Sequence, residues 1–150
     1  MAGVELVDET FIAAPPQVLA PVVADPARWR QWWPDLDLTV FMDRGLAGQR
    51  WSMVGALVGS CEIWLEPALD GTTVHYYLRG APTAESDPTA AVELPDTPAG
   101  WRRADRFRRE RALAWKRHIW ALKDELEGAR RPGDPATPQP DAPAAAATAQ

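Results

Sequence analysis

A single cysteine, Cys61, is all the thiol chemistry of this 150-residue chain, which excludes an internal disulfide and any metal site built from several cysteines. Its default role is that of a small buried apolar residue. Histidine is almost as scarce: the two present, His75 and His118, have no metal-ligand spacing between them. No glycine-rich phosphate loop exists, and no G-x-S-x-G elbow precedes a helix. Metal and nucleotide chemistry are therefore not expected, and no cofactor is implied. No apolar run approaches the roughly 20 residues of a membrane span. The opening MAGVELVDET carries acids where a secretory signal needs basic residues before an apolar stretch. The expected location is the cytoplasm, without membrane insertion.

Tryptophan, by contrast, is abundant: the chain has eight, and three of them crowd into DPARWRQWWPDLDLTV, residues 25–40. The stretch reads as a short helix, with Asp25 as its cap, Pro26 at the first helical position, where a missing N–H costs nothing, and Pro34 as its stop. At helical spacing Trp29 lies three and four residues from Trp32 and Trp33, so the indoles gather on one side and cover something apolar. They either plug a core or roof a cavity.

Length and an apolar share of 46% suit one globular domain with a real core. Charge is spread unevenly. Residues 1–100 hold five arginines against fourteen acids, a net of −9, whereas residues 101–131 hold eleven Lys/Arg against five acids, a net of +6. WRRADRFRRERALAWKRHIWALKDELEG is thus a basic helix in an acidic protein. Its simplest role is a solvated face docked on an acidic body, ahead of nucleic-acid binding. After Gly128 the Pro/Ala-rich ARRPGDPATPQPDAPAAAATAQ has nothing aromatic to bury, and composition predicts a disordered tail over 129–150 behind a domain of residues 1–128.

Periodicity predicts a strand over 4–13, a short helix from PPQVLAPVVADP that Pro21 should bend or shorten, and the tryptophan helix. Strands follow from Leu36. GSCEIWLEPALDGTTVHYYLRG reads as a hairpin turning at Asp70-Gly71. A two-residue loop there sets Leu69 against Thr72, Leu65 against Tyr76, Trp64 against Tyr77 and Glu66 against His75. Cys61, Ile63, Leu65, Val74, Tyr76 and Leu78 then share one face, expected to point inward, and Glu62, Glu66, His75 and Arg79 share the other. With the faces reversed, Glu66 beside His75 would instead enter the interior as an acid/base pair. Residues 81–100 read as a linker, for a total of five strands. In the last helix Phe107, Ala114, Trp115, Ile119, Leu122 and Leu126 form an apolar stripe. The fold class is α+β, with a curved antiparallel sheet around a long C-terminal helix.

The order of elements, with ADPARWRQWWPDL leading into a strand, the IWLEPALDGTTVHYYL hairpin and the closing WALKDELEG helix, resembles the START-like (SRPBCC) superfamily in its polyketide cyclase/dehydrase group. The resemblance covers residues 4–128 and is one of architecture, with no catalytic signature. It implies a helix-grip fold holding an apolar cavity between sheet and helix. Ligand-lining residues would be Trp33, Cys61, Ile63, Tyr76, Leu78 and Trp115. The implied function is binding or carriage of a hydrophobic small molecule, lipid or polyketide-like. Two other functions remain open: a cyclase, aromatase or dehydratase using Tyr76 or His118 for proton transfer, and an interaction module built on the Arg-rich helix.

Overall fold

The computed structural model describes residues 3–128, 130, 131 and 133–135. Its longest element is the closing helix, and everything before it builds the surface on which that helix lies. In chain order the elements are β1 (Val4–Ile12), α1 (Pro16–Val23), α2 (Pro26–Trp32), β2 (Leu36–Asp43), a 3₁₀ turn (Gly45–Ala47), β3 (Gly48–Gly55), β4 (Leu57–Ala68), β5 (Gly71–Ala84), β6 (Asp87–Ala91) and α3 (Pro98–Glu127). The sheet is antiparallel in the order β1-β5-β4-β3-β2, and β6 adds to the far end of β5. The chain between the first two strands of that order therefore returns through the whole sheet before β5 closes beside β1.

The helix boundaries follow local rules. Asp25 accepts the Ala27 N–H at 2.9 Å and Thr97 accepts that of Gly100 at 3.2 Å, each relieving an otherwise unsatisfied first-turn donor. Pro26 and Pro98 occupy first-turn positions. α1 runs on through Pro21 for eight residues, so the proline leaves it short rather than broken.

Alternation in β4 and β5 turns Cys61, Ile63, Leu65, Val74, Tyr76 and Leu78 inward, all buried in one core cluster with Trp115, Ile119 and Leu122 of α3. The expected faces hold, but the expected pairs shift by two residues. Trp64 opposes His75, Ile63 opposes Tyr76 and Ala68 opposes Gly71. The loop is Leu69-Asp70, because Gly71 already belongs to the strand: a Cβ there would run into the Ile12 carbonyl oxygen of the neighbouring β1. Residues 81–100 also depart from the linker expectation. β5 continues to Ala84 and β6 pairs with it, giving six strands rather than five. β6, DPTAA, is exposed throughout and shows no apolar alternation from which a strand could be read.

α3 docks through charge as well as through its apolar stripe. Asp8 points inward on β1, where Trp115 Nε1 donates to it at 3.1 Å and Lys116 Nζ pairs with it at 2.7 Å. Arg111 pairs with Asp35, Arg28 with Glu125 and Arg130 with Asp70. Of the basic residues of α3, Arg111 and Lys116 thus pair with acids of the body beneath the helix, while Arg108 and Arg109 pair with Asp105 on the helix itself. Apart from residues 130, 131 and 133–135, the tail expected to be disordered lies outside the described residues.

Candidate functional site

Where α2 ends, the chain turns at Trp33, whose backbone N–H still bonds to the Trp29 carbonyl at 2.8 Å. This places Trp32 and Trp33 at one end of the sheet, between its inner face and α3. Trp33 is 3% exposed. Its indole lies parallel to Trp115, with centroids 5.8 Å apart and planes 3° apart, and Trp115 stacks on Tyr76 at 4.2 Å. Trp33 Nε1 donates to the Tyr76 hydroxyl oxygen at 3.1 Å. Trp51 of β3 closes the other side of Trp33 at 5.6 Å, and Trp29 meets Trp51 edge-on at 5.5 Å. Such offset and edge contacts are favourable beyond the area they bury.

The six residues expected to line a cavity are therefore brought together, with their rings packed against one another. Trp33, Tyr76 and Trp115 form the stack, while Cys61 opposes Leu78 and Ile63 opposes Tyr76 on the strands beneath. Trp33 is buried within the core cluster. Trp32 is as deeply buried as Trp33, whereas Trp29 is half-buried against Trp51. Trp32 stands edge-on to Trp33 at 5.6 Å and to Trp115 at 5.7 Å, and it also lines an open groove of about 450 Å³ between the end of α2, the β3–β4 turn and α3. Pro34, Ala56 and Phe107 supply its other apolar surfaces, and Arg111 and His118 are among its polar ones.

Burial shifts the titratable groups of this region. Burial pushes the Tyr76 phenol well above its ordinary value, with the buried Cys61 adding to the rise. Burial also pushes the Cys61 thiol up to about 12, so it stays protonated and unreactive. His118 is shifted downward, first by burial and then by the Arg117 charge. Among the described residues no carboxylate orients its ring. Tyr76 and His118 also sit apart in kind, the first inside the stack and the second on the groove wall. On the opposite face His75 lies between Trp64 and Tyr77, at 4.3 and 6.3 Å. Its Nε2 is 3.0 Å from Glu66, and its Nδ1 is 3.3 Å from Glu9 without hydrogen-bond alignment. These groups stay outside the interior.

Sequence reading missed Trp51 and Gln49. The signal for both was present in QRWSMV, where Gln49, Trp51 and Met53 alternate onto the inner face of β3. A polar residue heading that series concealed it.

A sheet gripping a long C-terminal helix, with two short helices inserted after the first strand, is the helix-grip fold of START-like (SRPBCC) proteins, as the sequence resemblance implied. Solved structures bear this out. A Deinococcus radiodurans protein solved as a structural-genomics target matches with a TM-score of 0.56 at 14% identity, covering 82% of this chain and 97% of that one. The Aha1 dimer from Colwellia psychrerythraea matches with a TM-score of 0.51 at 14% identity, covering 85% and 99%. DynU16, from the dynemicin biosynthetic locus, matches at 0.50 and 17% identity over 87% of this chain but only 49% of its own length. Identities this low speak for fold alone. No family model and no curated protein matches the sequence.

Proposed function

We propose that this protein binds or carries a small, flat hydrophobic molecule without transforming it. One observation supports this reading above the rest: Trp32 is a wall common to the open groove and to the Trp33–Tyr76–Trp115 stack. A ligand seated in the groove meets Trp32, Phe107 and Pro34 as apolar walls, and a rotation of Trp32 exposes the faces of a preformed aromatic stack. Glu110, Arg117, His118 and the paired Arg111 and Asp35 supply the polar groups that fix orientation in such sites. Residues at the mouth and in the stack, rather than an enclosed chamber, would then do the work expected of Trp33, Tyr76 and Trp115. A lipid with a long chain fits this geometry less well than a planar ring system. A cyclase would need an oriented proton-transfer group: burial shifts the Tyr76 phenol and the Cys61 thiol upward, away from neutrality, and no carboxylate among the described residues orients His118.

The test is titration with a neutral naphthalene fluorophore, read by tryptophan quenching and by native mass spectrometry. Saturable binding is expected, weakened several-fold in Trp32→Ala and Phe107→Ala, in line with the loss of a buried aromatic anchor. Absence of binding, or binding unchanged in both folded variants, overturns the proposal. Turnover of a poly-β-keto substrate that falls with Tyr76→Phe would replace it with the cyclase.

A further inference from the structure

Along α1 lies a second groove, of about 400 Å³, built from different residues. α1 turns Gln17, Ala20, Pro21 and Ala24 toward it, a spacing that places all four on one helical face. Across from them, on the link from β2 to β3, stands Leu46, 51% exposed despite its apolar side chain. Beneath them is Gln49 of β3. Gln49 is only 6% exposed, and its side-chain oxygen is buried without a hydrogen-bond partner. A buried polar atom left unpaired is destabilising by more than a typical hydrogen bond contributes. A residue of this kind on the wall of a groove is an acceptor awaiting a donor.

The remaining polar lining says which donor. Asp43 is the charged residue of the groove, and one of its carboxylate oxygens already accepts the Gly45 N–H at 2.9 Å. No lysine, arginine or histidine lines the groove. The Gln17 and Gln49 amides can each accept or donate, so the Asp43 charge decides: it would repel a carboxylate and favour a protonated amine, whose N–H groups donate to the unpaired Gln49 oxygen. The apolar part of the ligand also has a place. Leu46 and Gln17 border an adjoining groove of about 360 Å³, whose other walls are Pro16, Ala47, Leu65 and Pro67. That neighbour has no charged group.

We propose that the α1 face and the 3₁₀ turn form a binding site for a small organic ammonium ion with an apolar body, its N–H donating to Gln49 Oε1 and its apolar body lying over Leu46 toward Leu65 and Pro67. This site is independent of the mouth at Trp32, and neither proposal rests on the other.

The test compares three probes of one skeleton on the full chain: 2-phenylethylammonium, 2-phenylethanol and 3-phenylpropionate. The expected order is ammonium, then alcohol, then carboxylate, with amide shifts centred on Leu46 and the Gln49 side chain. Gln49→Leu should weaken the ammonium roughly tenfold, the effect of losing one hydrogen bond to a charged group. Its melting temperature should hold or rise, because an apolar replacement removes the unpaired oxygen. Asp43→Asn should reduce the advantage of ammonium over alcohol. Should Gln49→Leu fold poorly, Leu46→Ser at the exposed rim should weaken all three probes together. Equal affinity for the three, shifts centred instead on Phe107 and His118, an unresponsive Gln49→Leu, or no binding at millimolar concentration each overturn the proposal; in the last case water alone satisfies Gln49.

Discussion

Trp33 donates its indole N–H to the phenolic oxygen of Tyr76 across 3.1 Å while both rings stack against Trp115. A residue at the end of a short helix, one in the centre of the sheet and one in the middle of α3 are thereby held as one unit, and the sheet is fixed to the helix through rings. Tyr76→Phe keeps the ring but leaves the Trp33 N–H buried and unpaired, so a loss of about 1–3 kcal/mol is expected. Trp33→Phe removes the donor, and the double variant should recover part of the Tyr76→Phe loss. Trp33→Ala, which empties the stack, should lose roughly 3–5 kcal/mol. Urea denaturation of the four variants checks this. Additive losses in the double variant would mean that the hydrogen bond carries no coupling.

How much of this was legible beforehand depends on the range of the determining interactions. Capping and proline placement are local, so α2 and its indoles can be read from DPARWRQWWP itself. Face alternation is nearly local, which is why Cys61, Ile63, Tyr76 and Leu78 were assigned correctly inward. Register is not local. Asp-Gly is a strong turn signal, yet the Asp70-Gly71 pair lost the loop to Leu69-Asp70 because β1, nearly sixty residues earlier in the chain, approaches Gly71 too closely for any side chain. The candidate site has the same limit. The resemblance implied a cavity, and whether Trp33, Tyr76 and Trp115 line it depends on packing distances that no spacing encodes.

The turn itself carries a further prediction. Leu69 has φ +50° and is 99% exposed, so it bears the cost of a left-handed backbone with no compensating contact. Leu69→Gly should stabilise the protein by roughly 0.5–1 kcal/mol, since the strain relieved exceeds the extra entropy glycine loses on folding. Thermal and urea denaturation of the variant should agree in sign. A loss of stability would show that the Leu69 backbone is not strained.

The end of α3 makes stability depend on pH. Glu127 accepts the Ala13 N–H at 2.9 Å and pairs with Lys123 Nζ at 2.6 Å, and the same Nζ donates to the Phe11 carbonyl at 2.7 Å. The helix terminus is thus clasped to the junction of β1 and α1. Burial alone would raise the Glu127 carboxyl. The Lys123 and Ala13 hydrogen bonds, with the Lys123 and Arg130 charges, outweigh it and hold the group below its ordinary 4.5. Because the folded value lies below the unfolded one, acidification protonates the unfolded chain first. The stabilisation is therefore complete above the unfolded value of 4.5 and is lost as pH falls through the lower folded value. Glu127→Gln should lower stability at neutral pH by roughly 1.5–3 kcal/mol, the contribution of hydrogen bonds to a charged group. It should also flatten the acid limb of stability against pH. Glu125 is likewise shifted downward, by its hydrogen bond with Arg28, but its side chain is 50% exposed, so Glu125→Gln should change the limb much less. The measurement is urea denaturation of the parent and both variants at intervals from about pH 3 to 7. An acid limb as steep in Glu127→Gln as in the parent would place the acid sensitivity elsewhere than at this clasp.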